Sequence, residues 1–420
     1  MVEPRQEMMR FLPQLSLQER DRRWRSVRER MAIDGLQCLV MVGNDQFFDM
    51  GMANIRYVTQ IGSKMGAYVI FPLVGEPIVF AGPPHMSVPF NVYRCTQNWV
   101  SDIRSYIGMG PLVEALKGLG HERANIGLVA FGHTLTASSL NHADYRQLVE
   151  ALPSATFLDA NPLLNHVRLV KSDEEIRMLK KAGEIAHLAV EAMIEGMKPG
   201  ATEAELYAKM FYAQVANGAE PQNFILLSTG SIDSPPGTWH LLHGVEQPAG
   251  PSMRELRKGD LAITEFHTCY GGYLAATEFS VFLGKAPAQL KRIHEVAVEC
   301  FHSGAAKMRP GTTLGELRDA FRAPCQRAGL DFLELGFHSH GLASPEFPIT
   351  VYKPGAPLLS GAGTEDLVLK ENMVFGTNID IHDPNWRTDV GLMLGDMIQV
   401  TRKGPVPLVN TPMELPEIAV

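Results

Sequence analysis

Apolar and polar positions alternate between two periods along the chain. From Leu17 to Ala32 apolar residues recur at helical spacing through a heavily charged stretch, which predicts an opening amphipathic helix. After the Asp34-Gly35 turn, "LQCLVMVG" is continuously apolar and predicts a buried strand. "AYVIFPLVGEPIVFAGP" predicts a hairpin turning at Val74-Gly75-Glu76-Pro77, "ANIGLVA" another strand and "HADYRQLVEAL" a helix. Strands interleaved with helices predict an α/β unit to about residue 160. Beyond it the pattern changes. Ser172 with Glu175, and Thr202 with Glu205, have the spacing of capping boxes, and Pro199-Gly200 stops the helix between them. Two more long helices are predicted, over about 287–307 and 314–328. "MRPGTTLGELRDAF" (Met308–Phe321) echoes "MKPGATEAELYAKMF" (Met197–Phe211), an internal repeat that predicts a pseudo-symmetric α+β domain. The expected organisation is therefore an α/β domain over 1–167 and an α+β domain over 168–420.

Composition narrows the class. The 420 residues exceed what one core usually holds, and 45% hydrophobic with 20% charged residues is ordinary for a globular protein. A net charge of -8 argues against a nucleic-acid binder and against an anionic membrane surface. The five scattered cysteines, the N-terminus without an apolar signal core, and the lack of any long apolar run lead to the expectation of a cytoplasmic protein.

The segment richest in chemistry is "ITEFHTCYGGYLAATEFSVFLG", which predicts two strands joined at Gly271-Gly272. Residues two apart on a strand share a face, so Glu265 and His267 point together, as do Ala276 and Glu278. In "NIDIHDPNWRTDVG", Asn378, Asp380 and His382 alternate as if lining one face, with Trp386 and Arg387 following in a loop. Such residues suit a polar organic ligand: Asp380 for a cation, Arg387 for a carboxylate, Trp386 for a flat or quaternary group. An edge loop with an amphipathic tip has the same pattern.

In this order, "VRLVKSDEEIRMLKKAGEIA", the Glu265–Glu278 hairpin, "HSHG", "ENMVFGTNIDI" and "DVGLMLGDMIQVTRKG" resemble the creatinase/aminopeptidase P/methionine aminopeptidase superfamily. The resemblance spans nearly the whole chain. It implies a creatinase-type N-terminal domain and a pita-bread catalytic domain. It also implies five metal ligands in the metal-dependent members: Asp, Asp, His, Glu and Glu. Those positions fall on Glu265, Ala276, His340, Asn378 and Gly395, so only the histidine is retained and one carboxylate is a longer one. Paired divalent ions need bridging carboxylates, and the expectation is that no such pair is held. Creatinase and ectoine hydrolase are similar in lacking the full set. Creatinase has Ala followed two residues later by Glu, as Ala276 and Glu278 are here, and ectoine hydrolase has Glu at the first position.

The resemblance therefore implies a metal-independent hydrolase cleaving a C–N bond in a small, non-peptide, nitrogen-containing metabolite, without cofactor. Glu265 is the nucleophile or the water-activating base, and His240 or His243 is the proton shuttle. Glu278 holds a cationic group, and His340 donates to the carbonyl oxygen. His267, His338, Asn378, Asp380, His382, Trp386 and Arg387 are expected around the substrate. Pro345 stands where relatives carry a second histidine, and Glu346 survives beside it. One alternative is a rewired mononuclear metalloenzyme, a lyase or an Xaa-Pro peptidase-like hydrolase, with one Fe, Mn or Zn ion on His and Glu ligands. The other is a non-catalytic pita-bread binding protein. A homodimer is implied, with Asp45 to Tyr68 reaching across to the partner.

Overall fold

The computed structural model describes residues 9, 11–44, 51–63, 65–82, 93–130, 140–221, 224–233, 251–351, 364–387 and 389–420. The chain divides into two compact units, Met1–Leu169 and Val170–Val420. Among the described residues no helix is long and apolar enough to cross a membrane.

The N-terminal unit is built on strands β1 (Cys38–Gly43), β2 (Ala67–Pro72), β3 (Ile78–Ala81), β4 (Asp102–Arg104), β5 (Asn125–Val129) and β6 (Thr156–Asp159). Their spatial order is β4-β3-β2-β1-β5-β6. The predicted hairpin is the antiparallel β2–β3 pair, while β5 runs parallel to both β1 and β6. Every residue of β1 is buried, as expected for a central strand covered on both faces. The opening helix, Leu17–Ile33, starts at Ser16, whose side chain accepts from Glu19 N, and buries Trp24, Val27 and Met31. It also buries Arg23, whose Nε meets Glu19 Oε1 at 2.6 Å and whose guanidinium lies over the rings of Tyr57 and Trp99. Of the stretch expected to reach a partner, 45–50 and Lys64 lie outside the described residues. Its central part is the helix Ala53–Thr59, whose Ile55, Tyr57 and Val58 are fully buried within this unit. The helix Ala53–Thr59 thus belongs to this unit's own core.

The C-terminal unit opens with two capped helices, Asp173–Gly196 and Glu203–Ala216, each with both hydrogen bonds of its capping box. The echo reappears at Thr313 and Glu316, which cap the helix Leu314–Ala328 in the same way. These helices and Ala288–Ala305 accompany two sheets. One has the order β16-β9-β8-β7, formed by β7 (Ile225–Ser231), β8 (Asp260–Tyr270), β9 (Tyr273–Leu283) and β16 (Glu417–Ile418). The other, in the order β11-β10-β12-β14-β15, has β10 (Asp331–Ser339), β11 (Glu346–Ile349), β12 (Val374–His382), β14 (Met397–Gln399) and β15 (Val406–Pro407), with β13 (Gly391–Leu394) also on β12. Main-chain bonds join the sheets where Gly395 N donates to Glu278 O at 2.8 Å.

Candidate active site

The hairpin β8–β9 turns at Gly271 and Gly272, with φ of 58° and 82°, a conformation glycine adopts without strain. Its register sets Glu265 directly opposite Glu278, and His267 opposite Ala276. Like charges facing one another across a ladder destabilise it, so such a pair in the middle of a buried hairpin is a candidate functional position. From the second sheet, β12 brings Asn378 and Asp380, and Asn378 Nδ2 donates to Glu278 Oε1 at 2.5 Å.

The result is a carboxyl cluster of Glu265, Glu278, Asp380 and Glu334. Glu278 and Asp380 are close electrostatic neighbours in it. Ionised carboxylates only accept and repel one another, so burying them together favours their protonated forms. Among the described residues no donor reaches Glu278 Oε2 or Asp380 Oδ1. Burial, then the charges of Glu334 and Asp380, hold the Glu265 carboxyl well above its ordinary range. Burial and the same neighbours do so for Glu278, and burial and Glu334 for Asp380. Glu265 is ringed by protein atoms yet keeps part of its surface open to solvent. Glu334, on the bulged part of β10, was not singled out from the sequence. The bulge between Phe332 and Leu335 breaks the two-residue alternation that links it to His338.

Three imidazoles form the other end of the site. His267 stacks on Phe224 with ring centroids 3.9 Å apart and meets the His340 ring edge-on at 6.1 Å. His338 and His340 are stacked at 4.7 Å. Burial pushes His338 down to about 4, and burial together with His338 and His267 pushes His340 well below its ordinary value, so both rings are neutral near pH 7. The two differ in partner. His338 Nδ1 lies 3.4 Å from Ser339 O, whereas His340 Nε2 lies 3.0 Å from Ser344 Oγ. A Cβ on Gly376 would stand 2.2 Å from His340 Nε2, so the glycine makes room for the ring.

Other expected residues lie as follows. His382 is buried at the end of β12, opposite Asp331 and Gly391. Arg387 is already matched: its guanidinium holds Asp389 at 2.8 and 2.5 Å and donates to Ile232 O. Trp386 is half-buried on the same loop, its backbone N–H on Asp383 O. His240 and His243 lie outside the described residues. Glu346 accepts from Ala343 N at 3.1 Å and pairs with Lys171 at 3.2 Å, and neither Lys171 nor Ser339 was visible as its partner in the sequence.

The family's paired-ion site does not fit these residues. Ala276 offers a methyl and Asn378 an amide already bonded to Glu278. At Gly395 even a Cβ would stand 2.1 Å from Thr377 O, leaving no room for a glutamate on this backbone. Among the described residues no three His, Cys, Asp or Glu side chains gather as a ligand set.

Comparison with known proteins places the molecule. Residues 177–402 match the family described as metallopeptidase family M24, and residues 23–170 match the creatinase/prolidase N-terminal domain. The Xaa-Pro dipeptidase of Pyrococcus horikoshii is 27% identical over 366 residues, covering 86% of this chain and 92% of that one. The crystal structure of the prolidase from Pyrococcus horikoshii OT3 superposes with a TM-score of 0.72 at 22% identity over 94% of this chain and 99% of that one. Dipeptidase PepE from Mycobacterium ulcerans gives 0.72 at 22% identity over 97% and 100%. A metallopeptidase family and relatives named for dipeptide cleavage overturn the expectation of a cofactor-free, metal-independent hydrolase of non-peptide C–N bonds. The inference failed because missing ligands say which ions a site cannot clamp, not which bond it cleaves. With a creatinase-type α/β domain ahead of an α+β pita-bread domain, the chain belongs to metallopeptidase family M24.

Proposed function

We propose that the C-terminal unit is a hydrolase of short peptides of the Xaa-Pro dipeptidase kind. The observation that carries this reading is the nearly end-to-end likeness to the Pyrococcus horikoshii Xaa-Pro dipeptidase. The carboxyl cluster gives that likeness a chemistry. Glu265, open to solvent on one side, takes a proton from the attacking water; its raised affinity for protons suits it to deliver that proton to the leaving nitrogen. Glu278 and Asp380 receive a cationic group such as the free ammonium of a short peptide. The neutral His340 donates to the carbonyl oxygen as it gains charge. His240 or His243 is a further proton shuttle. The active species is a homodimer, and a stable monomer in sedimentation at micromolar concentration contradicts that part.

The test is a panel of Xaa-Pro and other dipeptides, each run with added Mn2+, Co2+ or Zn2+ and with chelator, reading released amino acids. Cleavage of one or more dipeptides, abolished by Glu265→Gln, is the expected result. Failure on every dipeptide in every metal condition, with turnover of a small amide or ureido compound instead, overturns the reading.

A further inference from the structure

A buried lysine lies outside the cleft chemistry described so far. Lys171 is 2% exposed and precedes the helix Asp173–Gly196. Its backbone N–H is fixed on Asn372 O at 3.0 Å. Its ammonium donates to Ser339 Oγ at 3.1 Å and to Glu346 Oε2 at 3.2 Å. Ser339 immediately precedes His340, and Glu346 closes the turn that follows it. The other oxygen of Glu346 accepts from Ala343 N at 3.1 Å, and the next residue, Ser344, carries the hydroxyl that meets His340 Nε2 at 3.0 Å. Gly341 completes the turn: a Cβ there would stand 2.8 Å from both Glu346 oxygens, so the carboxylate occupies space the glycine leaves. One ammonium thus ties both ends of the 339–346 turn, and the turn holds the His340 ring.

We propose that Lys171 is a positioning residue, fixing His340 in the cleft through Ser339 and the Glu346-braced turn. A lysine ammonium costs several kcal/mol to bury in real proteins, and a generic helix approach does not need one. Two of its proton sites are instead directed at the two residues bracketing the histidine. The consequence for catalysis rests on the peptidase reading given above; the consequence for the turn does not.

The experiment pairs hydrogen exchange with kinetics on the full chain. Lys171→Met leaves Glu346 a buried carboxylate without its cation, so the Ala343 amide loses its brace. Exchange at Ala343 is expected to speed at least tenfold while the core of β12 keeps its protection. On a cleaved dipeptide, kcat is expected to fall by about 10²-fold with KM within about threefold, as for a misplaced group. Lys171→Arg, which keeps the charge, is expected to restore part of kcat. If Lys171→Met does not fold, Glu346→Gln, which keeps the shape and weakens the pairing, takes its place with the same two readings. Unchanged exchange at Ala343, or a fall in kcat that only follows a general loss of protection, overturns the proposal. If the unaltered protein cleaves no dipeptide, the functional reading fails, and the exchange comparison still tests the role of Lys171.

Discussion

Asp396 is the place where two opposing electrostatic effects can be weighed against each other by experiment. Its carboxylate is 1% exposed and gathers three backbone donors: Met397 N at 2.6 Å and Val409 N at 3.1 Å on Oδ1, and Thr411 N at 2.8 Å on Oδ2. Donors favour the ionised form and burial disfavours it. Burial wins, lifting Asp396 from 3.8 to about 6. A folded-state value above the unfolded one means the fold is favoured by protonation. That contribution is fully present below the unfolded value near 3.8 and is lost as pH rises through about 6. At pH 5 the folded carboxyl is mostly protonated and the unfolded one mostly ionised, a contribution of about 1.4 kcal/mol that vanishes by about pH 7.5. Asp396→Asn cannot titrate, and its amide turns an NH2 toward a donor, costing about 1–3 kcal/mol. The deficit of Asp396→Asn relative to the unaltered protein, read from urea melts, should therefore shrink by about 1.4 kcal/mol between pH 5 and 7.5. A deficit that grows with pH would show that the three N–H donors outweigh burial and that the assignment has the wrong sign.

Other perturbations have definite expected outcomes. Glu265→Gln should lower kcat on any cleaved dipeptide by at least about 10²-fold with an unchanged circular dichroism spectrum, since it removes the proton acceptor and little volume. Arg23→Met should destabilise the N-terminal unit by roughly 1–3 kcal/mol, because Glu19, 4% exposed, loses its buried partner and keeps only Arg22; a thermal melt within a degree of the parent contradicts this. Gly376→Ala must displace the His340 ring, 2.2 Å from the new methyl, and should cost about 1–3 kcal/mol along with most of the turnover. Full activity in that variant would show that the ring position is not critical.

The legible parts of the molecule are those whose signals are local. Ser172 and Thr202 with their glutamates three residues on announced two helix starts, the echo over 308–321 a third, and Gly271-Gly272 the hairpin. Strand alternation was enough to put Glu265, His267, Ala276 and Glu278 on one face, because their register follows from the turn. What escaped depends on distant pairing. The helix Ala53–Thr59 carries no cap side chain, so nothing local marks its start. Glu334 reaches the carboxyl cluster only through a bulge, and Lys171 meets Ser339 and Glu346 across some 170 residues of sequence. The hydroxyl that meets His340, on Ser344, likewise lies beyond the strand and was not marked in the sequence.

The glycine at 395 has a consequence for how this site could ever change. Most lost ligands can return by a single codon, because the backbone that held them is still there. Here the place of the missing side chain is taken by main chain, since Thr377 O lies 2.1 Å from where a Cβ would begin, and the strand is stitched to Glu278 through Gly395 N and O. A glutamate introduced at 395 meets a wall before it meets an ion. Restoring the family's ligand set would first require sliding β12 away from this strand, which also moves Asn378 and Asp380. The difference from the family is therefore written in the path of the chain, and swapping residues one at a time, by drift or by design, does not lead back across it.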